Sequence, residues 1–268
     1  MEPYDDAMSQ ACDDLRIQIQ QSAKAAEEEW PPLDRLLGSY HYDFGDISNW
    51  PDDICRINPS NMLPLEQPEV YFLGSLAACL HLPTHQANVI SSHERVSIVL
   101  SFCPKEMKRI RGQPSCGWKS WFAELRIQWF SFDLDDPKTR LTGSNGFCEE
   151  MANVWMSCWM DMCITLLRHF KQQPLTDEGG ILFHCFGGVN RSSAALCAWL
   201  IFRRDLTTED AVHSLLVARP SLCPWKFRPH VLWALKTWEM TQASVVRPQI
   251  STIMQEVCVP KRKWTGHP

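Results

Sequence analysis

Residues 181–193, Ile-Leu-Phe-His-Cys-Phe-Gly-Gly-Val-Asn-Arg-Ser-Ser, decide how this 268-residue chain is read. The apolar residues 181–183 suit a central parallel strand buried on both faces. That strand delivers Cys185 into a loop holding Gly187 and Gly188, and Arg191 stands six positions after the cysteine. A helix is expected to start at the arginine, because residues 194–202 are strong helix formers. Strand, loop and helix in this order are the layout of a phosphate-binding nucleophile.

Each residue type has a physical task. A loop bent between strand and helix turns successive backbone N–H groups inward, and the helix N-terminus adds partial positive charge, so an anion is cradled there. Residues Phe186, Gly187, Gly188, Val189 and Asn190 supply the N–H groups. The glycines let the backbone come close to phosphate oxygens. Arg191 offers a planar, bidentate grip that lysine does not reproduce. The same field favours the thiolate form of a cysteine placed like Cys185. A thiolate attacks phosphorus without a separate base, and a cysteinyl-phosphate results. Ser192 is placed to donate its hydroxyl to that sulfur and to help it leave.

The pattern His-Cys-x-x-Gly-x-x-Arg-Ser is met at every fixed position by His184, Cys185, Gly188, Arg191 and Ser192. The chain therefore resembles the dual-specificity branch of the cysteine-dependent protein tyrosine phosphatase superfamily. Residues 69–75, an apolar tyrosine-containing strand ending at Gly74-Ser75 before a short helix, resemble the opening strand of that family and make a second match. The resemblance implies an α/β fold with a central, mostly parallel, twisted sheet of four to five strands flanked by helices. It gives His184 a supporting part, holding the loop through hydrogen bonds.

A leaving oxygen needs a proton, and the phosphoenzyme then needs an activated water; one carboxylic acid serves both steps. Residues 127–137 begin as an aromatic, alternating strand and end in an acidic loop holding Asp133, Asp135 and Asp136. In the dual-specificity family the acid follows an aromatic residue by seven positions and an apolar one by four. Trp129 and Phe132 stand at those distances from Asp136, so the resemblance ranks Asp136 first, Asp135 second and Asp133 third. One departure stands out: Asp136 precedes Cys185 by 49 positions, more than the family's usual spacing. The excess falls in the turn-rich residues 137–146 and in a long helical run over 149–172, and loops tolerate such insertions at small entropic cost.

Composition narrows the setting. Hydrophobic residues at 45% with 12 tryptophans support a large buried core, and a net charge of −5 carries no general signal for polyanions, so nucleic acid is not the expected partner. Twelve cysteines without a Cys-x-x-Cys pair fit a reducing compartment, the cytoplasm or the nucleus. No apolar run reaches membrane-spanning length, so no membrane association is expected. Neither a metal-ligand spacing nor a cofactor fingerprint is present; no cofactor and no metal are expected.

Residues 1–60 read as an acidic, partly helical N-terminal extension that covers the catalytic domain or binds a partner. Residues 61–242 read as the catalytic domain and residues 243–268 as a C-terminal tail without periodicity. Within the domain, further strands are expected over 96–102 and 127–132. Helices are expected at 76–80, near 85–93, and over 149–172. Residues 207–212 open another helix with a capping pattern, and residues 229–240 form the last. The basic stretch 104–120 reads as a solvated helix or loop. The function expected is hydrolysis of phosphomonoesters on protein Tyr and Ser/Thr, with a phosphorylated protein as substrate. The same chemistry on a phosphoinositide or an RNA 5′ end, or phosphate binding with weak turnover, are the alternatives.

Overall fold

The computed structural model describes residues 55–57, 70–88, 95–109, 114–134, 149–172, 179–219 and 229–258. In chain order the elements are β1 (Cys55–Ile57), β2 (Tyr71–Gly74), α1 (Leu76–Leu80), α2 (Leu82–Asn88), β3 (Val96–Ser101), α3 (Pro104–Met107) and α4 (Trp118–Glu124). They continue with β4 (Gln128–Ser131), α5 (Glu149–Gln172), β5 (Gly180–His184), α6 (Arg191–Arg204), α7 (Thr208–Ala218) and α8 (Pro229–Thr241). A π-helical turn (Gln242–Val246) and α9 (Arg247–Cys258) close the described chain.

The strands β2 and β5 are buried at every residue, and β3 at all but Ser97, as expected of strands covered on both faces. They lie in one five-stranded sheet of order β1-β2-β5-β3-β4. The four strands β2, β5, β3 and β4 run parallel, and β1 joins β2 antiparallel at the edge. The α/β class and the mostly parallel sheet anticipated from the sequence are thus present. Register matters for the site: Gly74 and Ser101 both pair with His184, so three strands end side by side. Ligands in open parallel sheets bind beyond such carboxyl ends.

Helix α6 packs on β5 and β2, and α8 packs on α5, α6 and α7. Its Trp238 is fully buried and donates Nε1–H to the Ala198 carbonyl at 2.9 Å, with Trp159 of α5 edge-on at 5.9 Å. Thr207 caps α7, its Oγ1 accepting from Asp210 N at 3.1 Å, as the capping pattern foretold.

Three expectations are revised. Cys55–Ile57, ahead of the boundary drawn at residue 61, is a strand of the sheet with Ile57 buried. The stretch 243–268, read as a tail, is helical to Cys258. Its Val246, Ile250 and Ile253 are buried at helical spacing, and Pro248 follows the π-helical turn at the start of α9. The basic stretch 104–120 is not only solvated surface, because Met107 and Trp118 are buried and Trp118 Nε1 donates to the Met107 carbonyl at 3.0 Å. The acidic extension expected over residues 1–60 lies outside the described residues apart from Cys55–Ile57, and so do residues 135–148.

Candidate active site

The loop 185–190 runs from the end of β5 to the start of α6, and Cys185 is buried at its base. Ser192 Oγ lies 3.2 Å from Cys185 Sγ and donates to it, so the two side chains expected to cooperate do meet. Gly188 adopts φ +65°, the left-handed region that favours glycine. A Cβ there would stand 2.7 Å from the Gly74 carbonyl oxygen, so shape as well as torsion demands glycine. Asn190 is the N-cap of α6 but makes no side-chain capping bond, which leaves the first N–H groups of a 14-residue helix uncapped.

Alternate carbonyls of the loop are taken by its surroundings. His184 O accepts from Phe102 N at 2.9 Å, Phe186 O from Leu76 N at 3.1 Å, and Asn190 O from Ala194 N at 2.9 Å. Gly188 O accepts from Arg219 Nη1 at 3.0 Å and from Ser193 Oγ at 3.3 Å. Carbonyl oxygens repel an anion, and drawing them outward leaves the bowl to N–H groups.

Arg191 is buried. Its Nη2 lies 2.8 Å from Glu106 Oε1 of α3, and its Nη1 donates to the Leu134 carbonyl at 3.3 Å. Burial works against its charge, but the Glu106 hydrogen bond and the Cys185 charge outweigh burial and raise its affinity for the proton. The guanidinium is thus locked as a cation.

His184 is wholly buried, and Ser101 Oγ contacts its Nε2. Trp129 Nε1–H donates to the same Ser101 Oγ at 2.7 Å. The arrangement that satisfies these groups has the Ser101 hydroxyl donating to an unprotonated His184 Nε2 and the ring proton on Nδ1. Burial lowers the His184 pKa to about 3, opposed by a hydrogen bond to the Cys185 backbone and aided by the Arg191 charge. The ring is therefore neutral at physiological pH and orders the loop without contributing charge. Cys103, next to His184 at 4.0 Å from Nδ1, has its thiol pushed well above the ordinary range by burial and by the Cys185 charge.

Of the three carboxylates ranked from the sequence, Asp133 is described, and its carboxylate pairs with Lys105 at 3.2 Å on the surface. Asp135 and Asp136 lie outside the described residues. Sequence reasoning overlooked Glu106, Ser101 and Arg219. Glu106 had a usable signal, as a carboxylate just beyond the carboxyl end of β3 where sites in parallel sheets form. Arg219 had none, since nothing local marks an arginine before a proline as buried.

A sheet of this order with a cysteine, arginine and serine on the loop after its central strand is the architecture of a cysteine-dependent phosphatase. No family model matches the chain. Mouse dual specificity protein phosphatase 19 is 31% identical over 75 residues, 28% of this chain and 33% of that protein. Human dual specificity protein phosphatase 16 is 25% identical over 85 residues, 32% of this chain and 11% of that protein. The chain thus spans a third or less of the length of these curated relatives. Among solved structures, human DUSP28 gives a TM-score of 0.42 at 17% identity, covering 71% of this chain and 95% of that one. PTPMT1 gives 0.44 at 14% identity, covering 76% and 99%. The chain is a relative of the dual-specificity branch of the protein tyrosine phosphatase superfamily.

Proposed function

We propose that this protein hydrolyses phosphomonoesters on protein Tyr and Ser/Thr through a phosphorylated Cys185. The observation that carries the reading is the 3.2 Å contact of Ser192 Oγ with Cys185 Sγ, in a loop whose Phe186 and Gly188 carbonyls are taken by donors on α1, α6 and Arg219. In the first step the Cys185 thiolate forms an S–P bond while the ester P–O bond breaks, and Asp136 gives its proton to the departing oxygen. In the second, water attacks phosphorus as Asp136 takes its proton, the S–P bond breaks, and Ser192 donates a hydrogen bond to the leaving thiolate. Arg191 grips two phosphate oxygens throughout and steadies the charge that builds up on them.

Substrate choice rests on the rim. Phe186, next to the nucleophile, is 55% exposed, and none of residues 186–190 is charged. An apolar rim suits a phosphorylated side chain flanked by peptide better than a polyphosphorylated head group, which calls for cations. PTPMT1, one of the solved structures similar in fold, has been crystallised with PI(5)P, so lipids belong in the test.

The test is phosphate release from phosphotyrosine and phosphothreonine peptides, phosphoinositides and a triphosphorylated RNA end, each with wild type and Cys185→Ser. Turnover of the peptides by wild type alone is the expected result. Preferential turnover of a lipid or RNA end would reassign the substrate, and equal behaviour of the two proteins would remove the enzyme reading.

A further inference from the structure

We propose that Arg219 is a positioning residue of the phosphate cradle, one that acts by fixing the direction of the Gly188–Val189 peptide. The inference rests on the phosphatase reading and adds to it a residue 28 positions beyond Arg191.

Arg219 follows α7 as its C-cap, its own N–H closing that helix on the Leu215 carbonyl at 2.8 Å. From there the side chain runs inward and is 3% exposed, an uncommon place for an arginine. Its Nη1 donates to the Gly188 carbonyl at 3.0 Å. A Cβ on Gly188 would lie 2.8 Å from that Nη1, so the guanidinium sits in the space the glycine leaves open. Glycine and arginine are therefore one device: the first permits the φ of +65°, and the second holds it.

The consequence follows from peptide geometry. In a planar trans peptide the C=O and the following N–H point in opposite directions. With the Gly188 oxygen drawn toward Arg219 and Ser193, the Val189 N–H is turned to the opposite side, into the bowl above Cys185. Without Arg219 the longer 3.3 Å Ser193 contact alone would hold this carbonyl against a flip that glycine, which populates both signs of φ, makes cheap. A flip would put a carbonyl where a phosphate oxygen is to bind.

The sites of effect separate this role from simple stabilisation. Replacing a residue that only supports the fold lowers the melting temperature and leaves the oxyanion affinity of the folded molecules normal. A residue that aims an N–H weakens oxyanion binding in protein that is still folded. The experiment uses the full chain as wild type, Arg219→Met, Arg219→Lys and Ser193→Ala. It measures affinity for orthovanadate and inorganic phosphate, KM and kcat on an aryl phosphate, and the melting temperature. Expected are a tenfold or larger loss of vanadate and phosphate affinity and a raised KM in Arg219→Met. Arg219→Lys, which keeps a donor, and Ser193→Ala, which keeps Arg219, should both lose less.

Unchanged oxyanion affinity with only a lowered melting temperature in Arg219→Met would overturn the proposal. Should Arg219→Met fail to fold, Arg219→Gln, whose shorter, uncharged side chain gives up the 3.0 Å guanidinium contact with the Gly188 carbonyl, decides instead: affinity and KM equal to wild type overturn the proposal, and a folded variant with weakened oxyanion binding supports it. A wild type that binds vanadate but releases no phosphate sinks the enzyme reading and still leaves Arg219 to be judged on binding. A wild type that binds neither oxyanion overturns both.

Discussion

Acidification provides a test of the buried histidine behind the loop. His184 has its pKa lowered from 6.5 to about 3, first by burial and then by Arg191, despite a hydrogen bond to the Cys185 backbone that works the other way. In the unfolded chain the imidazole takes up a proton near pH 6.5; in the folded protein it refuses one until far lower. Stability is therefore unaffected by this group above pH 6.5 and is lost as pH falls toward 3. Each pH unit in that window is worth about 1.4 kcal/mol, so moving from pH 7 to pH 5 removes about 2 kcal/mol through His184 alone. That is a sizeable part of a typical domain's stability of about 5–15 kcal/mol.

The assay is urea unfolding at pH 7, 6 and 5, followed by tryptophan fluorescence, for wild type and His184→Gln. Glutamine keeps a partner for Ser101 and removes the titration. The variant starts less stable, but its stability should fall with pH by about 2 kcal/mol less than that of wild type over this range. Other groups, including His169 with its pKa lowered by burial, titrate in both proteins and cancel in the difference. Parallel stability curves for the two proteins would show that His184 is not the buried neutral group described above.

Three further outcomes are expected. Gly188→Ala places a side chain at φ +65° and 2.7 Å from the Gly74 oxygen, so it should cost about 1–2 kcal/mol from the backbone alone and abolish turnover, read by melting temperature and aryl phosphate hydrolysis. Glu106→Gln leaves a hydrogen-bonding partner for Arg191 at 2.8 Å but removes the charge, and should lower kcat/KM about tenfold, the loss of roughly 1.4 kcal/mol of orientation and charge pairing. Asp136→Asn should lower kcat about a hundredfold or more and flatten the pH–rate profile, whereas Asp133→Asn breaks only the exposed pair with Lys105 and should change kcat less than about twofold. A reversed ranking of the two aspartates would move the acid to Asp133.

Legibility followed how local each cause was. The strand before Cys185, the loop glycine and the helix from Arg191 all draw on neighbours in sequence, and all three were readable. So were α1, α5 and the Thr207 cap, where period or capping chemistry lies within a few residues. β1 escaped because three residues, only one of them buried, carry no period. Helix α9 escaped because Gln249, Ser251, Thr252 and Gln255 dilute an apolar stripe of Val246, Ile250 and Ile253. The acid is the opposite case, a position ranked by a resemblance at short range and separated from the nucleophile by 49 positions.

The parts of the site that sequence reading passed over share one physical task. An anion cradle made of backbone needs its N–H groups inside and therefore its carbonyls outside, and every carbonyl turned outward has to find a donor there. Four alternate carbonyls, from His184 to Asn190, find theirs on Phe102 just after β3, on α1, on Arg219 just after α7 and in the first turn of α6. The nucleophile motif specifies the inner surface of the bowl, and those donors, placed as far apart in sequence as Leu76 and Arg219, specify its outer one. Replacing an outer donor should then weaken oxyanion binding without touching Cys185, Arg191 or Ser192, and the size of the loss should follow how much freedom the carbonyl regains. On that ground Gly188, held at φ +65° where its peptide regains freedom once released, should be the carbonyl whose donor matters most, and the buried guanidinium of Arg219 is that donor.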